Sequence, residues 1–272
     1  MICVSDESLV PIGQWLEENA PRHYSEWLGL MVEGPSENGY LLASGGNVTS
    51  SFFLKCFGVR KQKINHIPFL PFLSKARRAF NAARSLYERG IPTPEPVAYS
   101  LLKRGPNAGK ELVFTRFIDD AQPMDEFCNK FLSQPNASDF IRKKRELTVA
   151  LAGFVKGLHL EGVYHGDFDI FNILTRYKEG FEFYLIDTGG IRSIRGISHR
   201  RRIKNLERIN RFFLDTRVVS STDRMRFLRI YLGGSTADHV ILKKYWREIE
   251  QRTILKLKKN VREFKEVIDE NP

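Results

Sequence analysis

Short apolar runs separated by turn residues dominate the first 118 residues of the chain. Three of them, each bounded by Gly, Asn or Ser, predict β-strands at Leu28–Glu33, Tyr40–Ser44 and Ser50–Phe57. Two more, Val97–Leu102 and Leu112–Ile118, flank a turn rich in Gly, Pro and Asn. Because tight turns join the first three strands, we expect these three to pair antiparallel.

A single helix interrupts these strands. From Lys75 to Arg89, apolar residues recur at spacings of three and four, which places them on one helical face. The residues of this face are Ala76, Ala79, Phe80, Ala83, Leu86 and Tyr87. Gly90 is predicted to end the helix, and the prolines at 92, 94 and 96 prevent its continuation.

The pattern becomes mainly helical beyond about residue 137. A helix is predicted from Ser138, as its N-cap, to Leu160, and a loop at Gly162–Asn172 follows it. The later elements are strands near Ile173–Thr175 and Phe183–Ile186 and helices near Ile203–Leu214, Thr222–Leu232 and Ala237–Val267. This order predicts an α+β protein of two lobes with a cleft between them, divided into residues 1–118 and 119–272.

Composition excludes several classes of protein. Hydrophobic residues make up 42% of the 272 residues, which supports a large core and excludes wholesale disorder. No apolar run approaches about 18 residues, so we expect no transmembrane helix, and the N-terminus lacks the pattern of a signal peptide. Three scattered cysteines, Cys3, Cys56 and Cys128, predict neither a disulfide scaffold nor a zinc site and fit a reducing cytosol.

Positive charge is in excess by 11, which predicts attraction to nucleic acid, an anionic membrane surface or a phosphorylated substrate. The densest stretch is Ile191–Arg211, with eight basic residues against the single acid Glu207. Two interpretations of this stretch stay open. It is either a solvated charged surface or a site for an anion-rich acceptor, with Arg200, Arg201 and Arg202 as its candidate residues.

The most informative chemistry lies between residues 164 and 189. Asp167 precedes Asn172 by five residues, and Asp187 stands at the end of the next apolar strand, two residues before a glycine. Mg²⁺ prefers such hard oxygen ligands, and phosphoryl transfer needs a further carboxylate that accepts or orients the attacking hydroxyl. The spacing matches the H-x-D-x₄-N and D-x-G signature of kinase-like enzymes. It predicts Asp167 as the catalytic base and Asn172 and Asp187 as Mg²⁺ ligands.

Two neighbours of these residues have open or modest roles. Asp169 is either a further group of the catalytic loop or a simple turn former, since Asp is common in turns. His165 is predicted to be structural, because Asp167 has the better position for a base.

The first lobe is expected to bind the nucleotide. Lys55 is a lone charge in an apolar strand, so it is either an edge-strand lysine that discourages aggregation or the lysine that binds the α- and β-phosphates. The segment from Gly34 to Gly39 is either an ordinary turn or a phosphate-binding loop. Phe117, by its order in the chain, is expected at the hinge whose backbone meets adenine. The kinase-like signature downstream favours the nucleotide-binding alternatives.

Several segments, in order along the chain, resemble the Kdo/WaaP lipopolysaccharide kinase family. They are Leu54-Lys55, Tyr87–Ala98, Gly162–Phe168, Asn172–Leu174, Tyr184–Asp187, Asn205–Ile209 and Asp223–Leu232. The Gly90-Ile-Pro-Thr-Pro94 element within them is absent from ordinary protein kinases. The resemblance implies a two-lobed protein-kinase-like fold, with an N-terminal antiparallel sheet and a mainly helical C-terminal lobe.

The resemblance also implies a function. It implies ATP as donor, Mg²⁺ as cofactor, and a heptose or Kdo hydroxyl of the lipopolysaccharide core as acceptor. The expected partners are a lipopolysaccharide core precursor and the anionic surface of the inner membrane, at whose cytoplasmic face the protein would be peripheral.

One departure from the family pattern keeps other functions open. Such kinases carry a helix Glu that pairs with the strand lysine, but the only acid of the predicted helix is Glu88, in its last turn, and Ala79 or a neighbour stands where that Glu would align. Either Glu88 reaches Lys55, another carboxylate substitutes, or Lys55 is held differently. The alternatives are a kinase for a protein or another small molecule and a non-catalytic pseudokinase scaffold. No nucleic acid is expected, because no binding module accompanies the charge.

Overall fold

The structure is a computed structural model that describes residues 2–4, 36–45, 48–57, 74–101, 111–133, 139–214 and 219–270. The chain divides into two compact units. The first contains the described residues up to Asp120 together with Tyr184–Gly190, and the second contains 121–183 and the residues from Ile191 onward. Within the described residues, no helix combines the length and the apolar character that crossing a membrane requires.

An antiparallel sheet forms most of the first unit. Its strands are β1 (Ile2–Val4), β2 (Ser36–Gly45), β3 (Val48–Phe57), β4 (Pro96–Leu101) and β5 (Glu111–Arg116). Within the described residues, the order across the sheet is β1-β4-β5-β3-β2. Strand β3 therefore lies inside the sheet, where Lys55 is paired with Asn38 of β2 and Val113 of β5. The interpretation of Lys55 as an edge-strand residue is wrong.

The hairpin of β2 and β3 differs from its prediction in one respect. Strand β2 begins at Ser36, and Gly39 lies within it, opposite Leu54. The turn predicted between Gly34 and Gly39 therefore does not extend to Gly39, because those residues continue the ladder with β3. The strand predicted at Leu28–Glu33 lies outside the described residues, and β1 was not predicted.

Helix α1 (Lys75–Glu88) confirms the predicted helix of the first unit. Its N-cap Ser74 accepts from the backbone of the first turn, and the Glu111 carboxylate accepts from the Ser74 hydroxyl and the Ala76 N–H, each at 2.8 Å. A carboxylate at this end is favourable because the first N–H groups of a helix have no partner within it. Gly90 follows the helix with φ +68°, as its C-terminal signal predicted. Tyr87 is exposed rather than part of the buried face.

The second unit is mainly helical. Its helices are α2 (Met124–Leu132), α3 (Phe140–Leu160), α4 (His199–Leu214), α5 (Ser221–Leu232) and α6 (His239–Glu270). Of these, α2 was not predicted. It spans nine residues and buries Met124, Cys128 and Leu132, a stripe too short to stand out as a helical period.

Short strands complete the described structure. They are β6 (Gln122–Pro123), β7 (Val163–His165), β8 (Ile173–Tyr177), β9 (Phe181–Leu185) and β10 (Ile191–Ser193). Strand β7 pairs with β10, and β6, β8 and β9 form a second small sheet. The pair β8 and β9 was predicted, whereas three-residue β7 and β10 carry too little pattern to be predicted. The mixture of sheet and helices confirms the α+β class.

Candidate active site

The loop after β7 places Asp167 in a defined backbone geometry. The backbone N–H of Asp167 donates to Nδ1 of His165 at 3.0 Å, and His165 is buried. His165 therefore shapes the loop from inside, whereas the Asp167 side chain is 67% exposed. This exposure leaves the carboxylate accessible to a ligand.

Asn172 closes the same loop. Its Nδ2 donates to the backbone carbonyl of Asp167 at 2.9 Å, which directs its Oδ1 away from that bond. The Asp169 carboxylate accepts from the Ile170 N–H at 2.8 Å, and the Asp169 carbonyl accepts from the Asn172 N–H at 3.0 Å. Asp169 thus forms the turn that carries Asn172. These contacts favour its interpretation as a turn former.

A buried chain of hydrogen bonds connects this loop to the helices. Asn205 of α4 donates to the His165 carbonyl at 2.8 Å, and its Oδ1 lies 3.2 Å from Nε2 of His159. Nδ1 of His159 lies 2.8 Å from the Tyr231 hydroxyl. Burial lowers the pKa of His159 to about 4 and raises the pKa of Tyr231 to about 12, so both groups are neutral near pH 7. The consistent arrangement has Tyr231 donating to Nδ1 and Nε2–H donating to Asn205.

Gly162 holds the start of β7 against the chain that follows β10. It has φ +71°, and a Cβ at this position would lie 2.1 Å from the carbonyl oxygen of Ile194. The Ile194 N–H donates to the Gly162 carbonyl at 2.9 Å. Only glycine combines this conformation with so close a backbone approach.

Arg208 of α4 donates to Oδ1 of Asp167. The loop Gly162–Asn172 contains no lysine or arginine. The positive charge beside Asp167 therefore comes from α4, where Arg208 is 41 residues away in the chain. This contact was not predicted.

In the first unit, Lys55 and Asp187 form an ion pair. The Lys55 Nζ lies 2.9 Å from Oδ1 of Asp187 and 5.4 Å from the centre of the Phe57 ring. Asp187 has φ +54°, a conformation that non-glycine residues rarely adopt. Such backbone strain is found preferentially at functional sites.

The packing of the two residues after Asp187 explains why α1 has no acid near Lys55. Thr188 is buried, and its hydroxyl donates to the Ala79 carbonyl of α1 at 2.6 Å. A Cβ on Gly189 would lie 3.7 Å from Cβ of Ala79, so the backbone after Asp187 passes directly over this position of α1. The predicted site of the helix acid is thus occupied by a small residue in close contact. Glu88 instead pairs with Arg84 at 2.7 Å, and Asp187 is a carboxylate partner of Lys55.

The Gly90–Pro94 element lies against the strand that leads to Asp187. The Leu185 N–H donates to the Pro92 carbonyl at 2.9 Å, and the Thr93 hydroxyl donates to the Leu185 carbonyl at 2.8 Å. Thr93 is buried, so this second bond is shielded from water. The element therefore fixes the backbone two residues before Asp187.

Basic residues of α4 line a cavity of about 420 Å³ in the second unit. The cavity is formed by Tyr164, Ser198, Arg200, Arg201, Lys204 and Arg252. Arg202 does not line it, because its Nε donates to the Ile197 carbonyl at 3.1 Å. Of the three arginines predicted to bind an acceptor, two therefore face one cavity and the third does not.

The remaining predicted residues lie in the first unit. Gly34 lies outside the described residues, and Gly39 lies within β2 rather than in a loop. Phe117 follows β5 directly and is half-buried. Its role at adenine stays a prediction, as does that of Gly34 at phosphate.

The sequence did contain a signal for the unpredicted residues of α4. Asn205 and Glu207 are polar and almost completely buried beside Ile203, Leu206 and Ile209. Burial raises the pKa of the Glu207 carboxyl, and the positive charge of Arg211 opposes this rise. Polar residues inside an apolar helical stripe usually have specific partners, and here they adjoin Arg208.

The described residues fit a Mg²⁺ site completed by phosphates and water better than a metal site made only of protein ligands. They contain no cluster of three His, Cys, Asp or Glu side chains that could hold a metal ion. Mg²⁺, however, is usually bound through one or two carboxylates together with phosphates and water. Asn172 and Asp187 each carry a hard oxygen group of the kind that Mg²⁺ prefers.

Comparison with known proteins gives a family and a fold. The model of the Lipopolysaccharide kinase (Kdo/WaaP) family matches residues 60–231. The chain is 28% identical over 167 residues to Lipopolysaccharide core heptose(I) kinase WaaP of Pseudomonas aeruginosa, a match covering 60% of each protein. The chain thus spans about 60% of the length of this curated relative.

The comparison with solved structures bears on the fold. A structure of WaaP in complex with acyl carrier protein aligns with a TM-score of 0.61 at 22% identity, covering 92% of this chain and 98% of that one. A Toxoplasma gondii specific rhoptry antigen kinase domain aligns with a TM-score of 0.48 at 12% identity, covering 82% and 81%. The first likeness confirms the predicted protein-kinase-like fold.

Proposed function

Because this chain belongs to the lipopolysaccharide kinase (Kdo/WaaP) family, we propose that it transfers the γ-phosphoryl group of ATP to a sugar hydroxyl of the lipopolysaccharide core. The acceptor sugar is a heptose or Kdo, and the relative named as a heptose(I) kinase favours heptose. The expected partner is a core precursor at the anionic cytoplasmic face of the inner membrane. The positive charge of the chain, in excess by 11, supports attraction to such an acceptor.

The observation that carries this proposal is the loop geometry of Asp167. The backbone of Asp167 is held by His165 and Asn172, while its carboxylate is exposed and in contact with Arg208. In the proposed reaction, Asp167 orients the acceptor hydroxyl and takes its proton. Arg208 holds one carboxylate oxygen, so that the other oxygen has a fixed direction toward the hydroxyl.

Lys55, Asn172 and Asp187 are proposed to act on the nucleotide. Lys55 binds the α- and β-phosphates, and Oδ1 of Asn172 and the Asp187 carboxylate hold Mg²⁺. When bound, Mg²⁺ would offset the negative charge of the phosphates. The ion pair of Lys55 and Asp187 supports this assignment, because it holds both side chains at one place before any ligand binds.

The same ion pair weakens the case for a pseudokinase. That alternative rested on the absence of an acid from α1. The structure has another carboxylate, Asp187, beside Lys55, and Thr188 packs on the helix where the acid was expected. The absence of an acid from α1 therefore does not leave Lys55 without a carboxylate, and the helix position is packed against Thr188.

Phosphate transfer from ATP to lipopolysaccharide core acceptors tests the proposal through two neighbouring carboxylates. Asp167→Asn is expected to lower turnover by about 10²–10⁴-fold, because a general base contributes on this scale. Asp169→Asn serves as the matched control, since its amide oxygen can still accept from Ile170. Turnover of Asp167→Asn within twofold of wild type would refute the role of Asp167, and loss in both variants would indicate a loop defect.

A further inference from the structure

The basic cavity is built from three elements that are distant in the chain. Strand β7 contributes Tyr164, α4 with its preceding residue contributes Ser198, Arg200, Arg201 and Lys204, and α6 contributes Arg252. Its volume of about 420 Å³ lies within the range of about 300–1,000 Å³ that is usual for small-ligand sites. None of these lining residues is acidic.

The cations of this cavity differ from their neighbours on α4 in forming no close ion pair with a carboxylate among the described residues, although the Glu207 carboxyl acts on Arg252 electrostatically. Arg208 pairs with Asp167, and Arg211 lies 3.5 Å from Glu207. No described carboxylate forms such a pair with Arg200, Arg201, Lys204 or Arg252. Four positive charges around one cavity repel each other, so an anion between them would relieve this repulsion.

Two of the cations are positioned by an aromatic ring. The guanidinium of Arg201 lies 5.3 Å, and the ammonium of Lys204 6.0 Å, from the centre of the Tyr164 ring. Tyr164 is buried, so the ring is a fixed wall of the cavity rather than a mobile side chain. Such cation–π contacts hold the charged groups in place and lower the entropy cost of binding an anion.

Arg252 contributes a guanidinium group to the lining of the cavity. Its Nε is buried and the Glu207 carboxyl acts on it electrostatically, so the part of Arg252 that faces the cavity is not Nε. An arginine that faces phosphate can donate through two nitrogens at once, which makes phosphate a favourable partner.

The position of the cavity connects it to the loop of Asp167. Tyr164 precedes His165 in β7, and Lys204 precedes Asn205 in α4. His165 and Asn205 are joined by the hydrogen bond that anchors the loop. A group bound against Tyr164 and Lys204 would therefore lie on the same two elements that position Asp167.

We propose that this cavity binds a phosphate group already present on the acceptor, in addition to the phosphates of ATP. The inference rests on the proposed function, and it names the acceptor as a phosphorylated sugar. An open cavity with an aromatic wall, three partly buried cations and the exposed Arg200 fits one phosphate group. A membrane surface, by contrast, would be met by fully exposed side chains on a flat patch.

Binding of a soluble sugar phosphate tests the inference without turnover. The full chain is titrated by calorimetry with glucose 6-phosphate and with glucose, in saturating Mg-ADP so that a nucleotide site is occupied. Arg201→Gln/Lys204→Gln is expected to bind the sugar phosphate at least tenfold more weakly than wild type. Arg229→Gln/Lys243→Gln is the matched control, since these exposed cations lie elsewhere on α5 and α6 and should leave the affinity unchanged.

A third variant guards against loss of folding. Arg200 is exposed, so Arg200→Gln should leave the melting temperature unchanged and still weaken sugar phosphate binding about threefold or more. In transfer assays, Arg201→Gln/Lys204→Gln should raise the KM for a delipidated, phosphorylated core oligosaccharide at least tenfold. The KM for the same oligosaccharide after phosphatase treatment, and the KM for ATP, should stay within twofold.

The outcomes separate this inference from the proposed function. Equal sugar phosphate affinity in wild type and the cavity variants would overturn the inference even if phosphoryl transfer is observed. If the cavity variants lose binding to phosphatidylglycerol vesicles but keep the sugar phosphate affinity of wild type, the inference would be overturned in favour of a lipid headgroup site. If no core sugar is phosphorylated but the cavity variants lose sugar phosphate binding, the proposed function fails and the phosphate site stands.

Discussion

Asp167 and Asp187 have the same side chain but are held by different forces. Asp167 lies in a loop whose backbone is fixed by His165 and Asn172, and its exposed carboxylate contacts Arg208. Asp187 is held through its own strained backbone and an ion pair with Lys55. These surroundings fit the proposed division of roles, with Asp167 as base and Asp187 as metal ligand.

Arg208→Gln is expected to lower turnover about 10²-fold with little change in the KM for ATP. The physical reason is that Arg208 holds the Asp167 carboxylate, and misplacement of a catalytic group by about 1 Å can cost this much. Steady-state kinetics with ATP and a core acceptor measure the effect. Arg229→Gln controls for the loss of one positive charge.

A rescue experiment separates positioning from a folding defect. Guanidinium ion added to Arg208→Ala should restore part of its turnover and should not change wild type. Turnover of Arg208→Gln equal to that of wild type would show that the contact with Asp167 has no role in the reaction.

His159 should make stability depend on pH between about 6.5 and 4. Burial lowers its pKa to about 4, so in this window the unfolded chain binds a proton that the folded chain does not bind. The unfolding free energy therefore falls as the pH falls, by up to about 3 kcal/mol across the window. Urea unfolding of wild type and His159→Gln between pH 4 and 7 measures this contribution as the difference between the two slopes. Parallel slopes would contradict it.

At the scale of elements, helix α4 unites several tasks. Asn205 anchors the loop of Asp167, Arg208 contacts its carboxylate, and Arg201 and Lys204 line the basic cavity. Successive residues of a helix point in directions about 100° apart. Neighbouring polar residues of α4 can therefore serve a buried network, an exposed carboxylate and a cavity at once.

Gly162→Ala is expected to destabilise the protein by about 2 kcal/mol or more. The added Cβ would lie 2.1 Å from a backbone oxygen, and the positive φ disfavours any side chain. Gly157→Ala in α3 is the matched control, because its Cβ would have no neighbour within 4 Å. That substitution should stabilise the helix by about 0.5–1 kcal/mol. Chemical denaturation of both variants tests the prediction, which fails if Gly162→Ala is as stable as wild type.

At the scale of the whole molecule, binding of Mg-ATP should raise the melting temperature through linkage. A ligand at 100 times its Kd stabilises the folded state by about 2.7 kcal/mol. Asp187→Asn is expected to lose the part of this stabilisation that depends on Mg²⁺, since it lacks the proposed carboxylate ligand. Thermal unfolding with ATP, in Mg²⁺ or in EDTA, measures that part.

Glu88→Gln is the matched control for this measurement. Glu88 is an exposed carboxylate of the same unit that pairs with Arg84 rather than with Lys55. It should keep the full Mg²⁺-dependent rise. An equal rise in Asp187→Asn and wild type would exclude Asp187 as a metal ligand.

The sequence determined the elements that have a strong local pattern. Helix α1, with its apolar face and Gly90 signal, and the long helices α3 to α6 could be predicted because periodicity and capping act within a few residues. The α+β order could be predicted for the same reason. The spacing of Asp167, Asn172 and Asp187 identified the candidate site because these residues lie close together along the chain, and motifs of several segments gave the family resemblance.

Only the tertiary structure decided which distant residues meet. Lys55 and Asp187, Asp167 and Arg208, and Tyr164 and Arg252 are each separated by tens of residues, so no local pattern could pair them. Such pairs depend on how sheets and helices pack, since the free energy that brings them together comes mainly from the burial of other residues. The sequence therefore identified the candidate residues, and packing decided that Lys55 pairs with Asp187 rather than with a carboxylate of α1 and that Arg202 turns away from the basic cavity.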